Sequence, residues 1–477
     1  MMGATGSITS AARPLAADTP SDLTSALARD VLGLTYERLT ESDLTQLKRL
    51  VFDHLSVCRR GAEAAWSRAV QDYVRALESA GAAPVFGAGF ATSPALAALA
   101  NATAAHGLEL DDTHDESITH PGAPIIAASL AIARSLGLGG RDVLPAIAAG
   151  YEVVGRIGAA TGAAQVLERG NHPTALFCGF GVAAAVAKLL GLDRDGLIAA
   201  WGLQLSQAGG SMQFSIDAAG TAVKRLHGGY AAHGGVLAVE LARRGLAGPG
   251  QAFDGEYGLC RLYGSRLQLD RLAKGDRDAL EIHAISFKPY PCCRLFHSTL
   301  DALATVTDGF ALSPDAIRRV VVGGPAIVAT QHMLRRPESE MAAQYSLPFT
   351  LGAAMVFGPE AIDGFAESAL ADSRVLDFAD RVEALLDEDL EAAFPRHFGS
   401  WVEIERADGE KRRADVLDSL GTPAQPMTEA ALIRKYTMLC DALPGLPTGQ
   451  ALWGRVEAFA CGGGADELLD GFGLGED

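Results

Sequence analysis

Asn101-Ala-Thr-Ala-Ala-His-Gly-Leu-Glu-Leu-Asp-Asp-Thr-His-Asp-Glu-Ser-Ile-Thr-His-Pro-Gly-Ala-Pro-Ile-Ile126 places three histidines and five carboxylates within fifteen residues of an otherwise Ala-rich, apolar region. The stretch begins and ends in helical patterns. Written on a helix, His106, Glu109 and Asp112 follow at i, i+3 and i+6, and Thr113 lies four beyond Glu109, so they share a face. Charges there cost free energy if buried without partners. The stretch is therefore a solvated loop with Asp or Ser caps, or a catalytic loop with an acid–base histidine and orienting carboxylates. His114, Asp115 and His120 carry ligand types for a divalent ion, but in no fixed ligand pattern, and the expectation is no metal.

Working outward, the N-terminal side reads as helix. Ser21 to Leu34, Thr40 to Arg59 and Ala62 to Ala80 are amphipathic, Val85 to Ser93 is a Gly-rich extended link, and Pro94 suits a first helical turn. Beyond Ile126, helices are expected over Pro121–Leu136 and Asp142–Gly162, the latter with Gly150, Gly155 and Gly158 for close contacts. A second polar island, with His172 before Pro173, opens a small-residue helix from Ala175 to Leu190, and Asp193–Gln207 follows as helix. A third island sets Lys224, Arg225 and His227 on a loop beside glycines, a basic patch in an acidic protein that is suited to carboxylates. Ala231 to Gly245 then returns to helix.

After about Gly275 the composition changes. Ile285-Ser-Phe-Lys-Pro-Tyr-Pro-Cys-Cys-Arg-Leu-Phe-His297 is a fourth island, a rigid loop carrying Lys288, Cys292, Cys293 and Arg294. Ala316 to Val328 reads as a strand, Ala343 onward as a helix with Tyr345 at its entrance, and Trp401 to Leu417 as a hairpin turning at Asp408-Gly409. Met427–Leu443 and Leu452–Ala460 are helical, and 462–477 is a Gly/Asp-rich tail expected to be disordered.

A chain of 477 residues exceeds the usual single core, so two domains are expected. The net charge of −18 argues against nonspecific nucleic-acid binding, while a locally basic pocket still suits an anionic small substrate. Seven cysteines form no CxxC pair, which fits a reducing cytoplasm. The first twenty residues read as a flexible tail, and no apolar run reads as a membrane span.

Six motifs in order resemble the MmgE/PrpD family: His106-Gly-Leu-Glu-Leu-Asp-Asp-Thr, His120-Pro-Gly-Ala-Pro, His172-Pro-Thr-Ala, Lys224-Arg-Leu-His-Gly-Gly, Phe287-Lys-Pro-Tyr-Pro-Cys-Cys-Arg and Ala343-Gln-Tyr-Ser-Leu-Pro. The resemblance covers roughly residues 22 to 460. It implies a mainly α fold: a large helical domain from both ends of the chain (21–285 and 417–461), an inserted α+β lid (286–416), and tails at 1–20 and 462–477. It further implies a homodimer without metal or organic cofactor, acting on a small polycarboxylate. By resemblance His120, His172, Lys224, Lys288, Tyr345 and Asp112 carry the chemistry, and Thr113, Glu109, Arg225, His227, Cys292, Cys293 and Arg294 bind substrate. Glu109 and Cys293 stand where decarboxylase members carry Asp and His. The expectation is thus a 2-methylcitrate dehydratase-like hydro-lyase, with epimerase, cis-aconitate decarboxylase-like and non-catalytic polycarboxylate-binding members as alternatives. The shared chemistry is carbanion formation α to a carboxylate, served by a histidine base, cationic donors and a Lys288 of lowered pKa.

Overall fold

The computed structural model describes residues 23–217, 221–273 and 279–473. The expected N-terminal tail and the composition change near Gly275 lie outside them, as do 218–220 of the third island. The described chain is mainly helical. Two helices start at the caps expected from sequence. Thr40 closes a capping box with Asp43 ahead of the helix Glu41–Gly61, and Pro94 opens the helix Pro94–Ala105.

The larger of two main hydrophobic cores gathers residues from Leu27 to Phe287 and again from Met427 to Phe472. At its centre the helices Gly122–Leu136, Gly140–Thr161, Pro173–Leu189 and Val223–Arg243 pack together. Their Ala and Gly content explains the closeness: a Cβ on Gly150 would meet the Gly181 carbonyl of the neighbouring helix at 2.9 Å. Gly140–Thr161 is long and apolar enough to cross a membrane, but its apolar window is wholly buried in this core.

The second core gathers residues from Tyr290 to Ile404. It is built on a four-stranded sheet in the order Val382–Leu386, Ile317–Gly324, Ser400–Arg406, Lys411–Val416. The first pair is parallel, with Val320 opposite Val382, and the others are antiparallel, with Val320 opposite Ile404 and Trp401 opposite Asp415. Leu300 and Leu303 of the helix His297–Val306 join Val320, Val322 and Val402 in this core.

Four expectations change. The link at Val85–Ser93 is a small hairpin, Ala83–Val85 with Phe90–Thr92. The strand read through Val328 ends at Gly324, and Ala326–Gln331 is helix. The third island is not a loop at its basic residues, because the helix Val223–Arg243 begins before Lys224. Finally, 462–473 is ordered. Ala465–Leu468 is helical, Phe472 is fully buried against Phe86 with ring centroids 5.4 Å apart, and its carbonyl accepts from the Gly87 N–H. The three apolar residues Leu468, Leu469 and Phe472 anchor what composition alone marked as polar tail.

Candidate active site

The decisive stretch is neither a helix nor a solvated loop. The helix Pro94–Ala105 stops at His106, and Glu109 takes a left-handed φ of 56°. Thr113–His114 then pairs as a short strand with Ile285–Ser286. Glu109 and Asp112 therefore do not share a helical face with His106. Yet His106, Glu109, Asp111, Asp112, Thr113, His114 and His120 are all buried. Room for the loop comes from Gly158, where a Cβ would sit 2.3 Å from that of Ser117. Buried Lys435 of the helix Glu429–Cys440 holds the loop from below, bonding Asp53 at 2.7 Å and the Leu110 carbonyl at 2.8 Å.

The buried charges of this loop have partners. Glu109 accepts from Lys224 and, at 3.1 Å, from Lys288, so one carboxylate ties the third and fourth islands together. Burial opposes its ionisation, but the two ammonium groups hold its carboxyl well below the usual carboxylate range. Lys224 is pushed down by burial, against the pull of Glu109. Lys288 corrects the expectation of a lowered pKa: burial disfavours its charge, but Glu109 and Asp111 outweigh that and raise it. Asp112 is turned to a structural task, accepting from Tyr151 at 2.5 Å and from the Gly122 N–H at 2.9 Å. Burial, and then the neighbouring Asp111 charge, raise its pKa to about 7.

The histidines gather above this layer. His106 donates from Nδ1 to Asp111 at 2.6 Å, and its Nε2 is buried without a partner. Nδ1 of His120 lies 2.9 Å from the Asp112 carbonyl, which can only accept. The proton of the neutral His120 ring is therefore on Nδ1, and Nε2 keeps its lone pair. Nδ1 of His172 lies 2.8 Å from Nδ1 of His227. Ring centroids are 5.0 Å apart for His106 and His120, and 5.9 Å for His106 and His172. Burial pushes all four pKa values below the ordinary histidine range, that of His227 to about 3. Ligating atoms of His106, Asp111 and His120 lie within 4.8 Å of one another, so among the described residues this group, and not His114, Asp115 and His120, has the spacing to hold a metal ion. Instead, His114 bonds Glu281 at 3.0 Å, and Asp115 accepts from Ser286 at 2.8 Å and Arg294 at 3.0 Å.

A narrow cleft opens beside the histidines and is lined from both cores. Of the expected residues it brings together Glu109, Thr113, His120, His172, Cys293, Arg294 and Tyr345. Lys224 and Lys288 lie behind Glu109, fully buried, and Asp112, Cys292 and His227 also stand outside the lining. Arg225 bonds the Gly107 carbonyl, stacks 3.6 Å over the Trp66 ring and reaches Glu340 at 3.5 Å, so it clasps the two cores instead of facing the cleft. His332, for which the sequence carries no motif, lines the cleft and donates from Nδ1 to the Tyr345 carbonyl at 3.0 Å. Phe394 and Phe398 line the cleft as well. His332 stands isolated in an unremarkable run, Thr330-Gln-His-Met333, with only its residue type as a signal.

A two-core helical fold with buried histidines and lysines at an inter-core cleft defines a class. The chain matches the MmgE/PrpD N-terminal domain over residues 25–271 and the MmgE/PrpD C-terminal domain over 290–449. It belongs to the MmgE/PrpD family and is a lyase-type enzyme of that family. It is 27% identical to a cis-aconitate decarboxylase of Aspergillus terreus, over 89% of this chain and 90% of that one. It is 29% identical to the cis-aconitate decarboxylases of Mus musculus (72% of this chain, 71% of that one) and Homo sapiens (76% of each).

Proposed function

We propose that the chain is a cofactor-independent lyase that forms a carbanion α to a carboxylate of a small di- or tricarboxylate, and that dehydration is its outcome. The observation that carries this is the tautomer of His120. With Nδ1–H donated to the Asp112 carbonyl, a neutral ring on the cleft wall keeps a basic Nε2. Such a group takes a proton from carbon. The bond from the α-carbon to hydrogen breaks, its electron pair forms the alkene, and hydroxide leaves the neighbouring carbon with a proton from an acid such as the Tyr345 hydroxyl. Beneath the cleft floor Lys224 and Lys288 are balanced by the Glu109 and Asp111 carboxylates, so the buried cluster fixes the electrostatics of the floor without a net charge of its own. Arg294 is the cation on the lining itself. The segment 286–416 acts as a lid, and the active unit is a homodimer in the cytoplasm.

Decarboxylation is the second reading, favoured by the names of the relatives. There the carbon–carbon bond to one carboxylate breaks, CO2 leaves, and an N–H donor, not a base, protonates the carbon. The test is proton NMR of the enzyme in D2O on citrate, 2-methylcitrate, cis-aconitate and iminodisuccinate. Loss of water with a new alkene is expected. Loss of CO2 from cis-aconitate would replace dehydration by decarboxylation, and exchange with inversion would make the chain an epimerase. The His120→Ala variant should lose about 10²- to 10⁴-fold in kcat, and normal turnover would remove His120 as the base.

A further inference from the structure

The His172–His227 contact is not explained by substrate binding, since His227 stands outside the cleft lining behind His172. Two imidazole nitrogens 2.8 Å apart require one hydrogen between them, and only one ring can donate it. Both rings are buried, at 5% and 4% exposure, and Lys224, His106 and His120 face them, so a second proton on the pair is disfavoured. The pair is neutral with a single shared N–H, and its direction decides what His172 shows the cleft.

Three neighbouring rings bear on which direction suits the site. His106, His120 and His332 each donate from Nδ1 to an acceptor, which leaves three Nε2 lone pairs, two of them on the cleft-lining rings His120 and His332. Such lone pairs repel a carboxylate, so on this wall an N–H from His172 would add to the donors that Arg294 and Tyr345 bring to the lining. We propose that His227 donates Nδ1–H to Nδ1 of His172 and so holds His172 as its Nε2–H tautomer, a neutral hydrogen-bond donor for a substrate carboxylate. This rests on the reading of the cleft as a carboxylate site. His227 is then a positioning residue acting through His172. The surroundings hold the pair in place. The backbone N–H of His172 donates to the Gly210 carbonyl at 2.9 Å, and a Cβ on Gly210 would come within 3.5 Å of the His227 ring.

The test reads the tautomer without substrate. In protein labelled with 15N-histidine, with His172→Gln identifying the resonances, Nε2 of His172 should carry the proton and Nδ1 should not. The reverse assignment overturns the proposal. In His227→Ala the proton on His172 should redistribute between its nitrogens. In His227→Asn, whose amide N–H can stand in for Nδ1–H, it should stay on Nε2. Kinetically, His227→Ala should lower kcat roughly ten- to hundredfold, the cost of a misplaced catalytic group, with His227→Asn recovering most of it. Equal losses in both variants, or none in either, overturn the positioning role. Because the spectra need no turnover, the expected tautomer in a protein inert across the acid panel would support the pair while removing the lyase reading.

Discussion

Two charge-rich segments of this chain behave in opposite ways. The hairpin Ser400–Arg406 and Lys411–Val416 sets its charges in water: Arg413 and Asp415 pair at 2.8 Å but are 46% and 64% exposed. The loop from Gly107 to Pro121 sets its charges in the interior, where Glu109 and both of its lysine partners are fully buried. Similar residue types thus yield a replaceable surface in one place and a mutually dependent assembly in the other. The difference is the medium, since the interior strengthens each attraction and penalises each unpaired member.

The largest test of that contrast is Glu109→Gln, which leaves two buried ammonium groups without their carboxylate. It should cost about 3–5 kcal/mol by chemical denaturation, and a loss under about 1 kcal/mol would erase the distinction. Next comes acid. His227 and His332 titrate in the fold at about 3 and about 4, below the ordinary 6.5. Their stabilisation is complete above 6.5 and declines as pH falls towards those values, by about 1.4 kcal/mol per pH unit for each. Asp112 has the opposite sign. Its folded pKa of about 7 lies above 3.8, so its stabilisation is complete below 3.8 and is lost as pH rises to 7. Asp112→Asn should remove that slope, and an unchanged pH profile of stability would show that Asp112 is not the group titrating.

In the hairpin the expected effects shrink. Gly409, at φ 91°, should tolerate Ala at a cost of about 1 kcal/mol. Arg413→Ala, which removes the Asp415 pair and a stack 4.0 Å above Trp401, should cost about 0.5 kcal/mol in a thermal melt. A larger effect would mean that the hairpin, too, depends on its charges.

The same contrast explains what could be read from sequence. The hairpin was legible because its signals are local: alternation in the strands and Asp-Gly at the turn. The helices with Thr40 and Pro94 at their starts were legible for the same reason. The loop was singled out by composition, but its geometry was not accessible, because Glu109 finds its partners 115 and 179 residues away. Spacing along a helix suggested a shared face for His106, Glu109 and Asp112 that the break at His106 abolishes. Lys224 and Arg225 read as a basic loop suited to carboxylates, but only the packing of the helix Val223–Arg243 shows that they are buried behind the cleft and not on its wall. His332 reaches the cleft by tertiary placement alone.

One arrangement also bears on the order in which the chain acquires structure during synthesis. The larger core takes Leu432, Tyr436, Trp453 and Phe472 from beyond the second core. At ribosomal speeds of about 5–20 residues per second, the stretch from Ile282 to Phe472 takes roughly 10 to 40 s to emerge. For that interval Phe52 lacks the Tyr436 and Trp453 rings, 5.7 and 5.2 Å from it in the finished fold. Until those residues emerge the nascent N-terminal half lacks part of its core, while residues 290–404 can already collapse behind it.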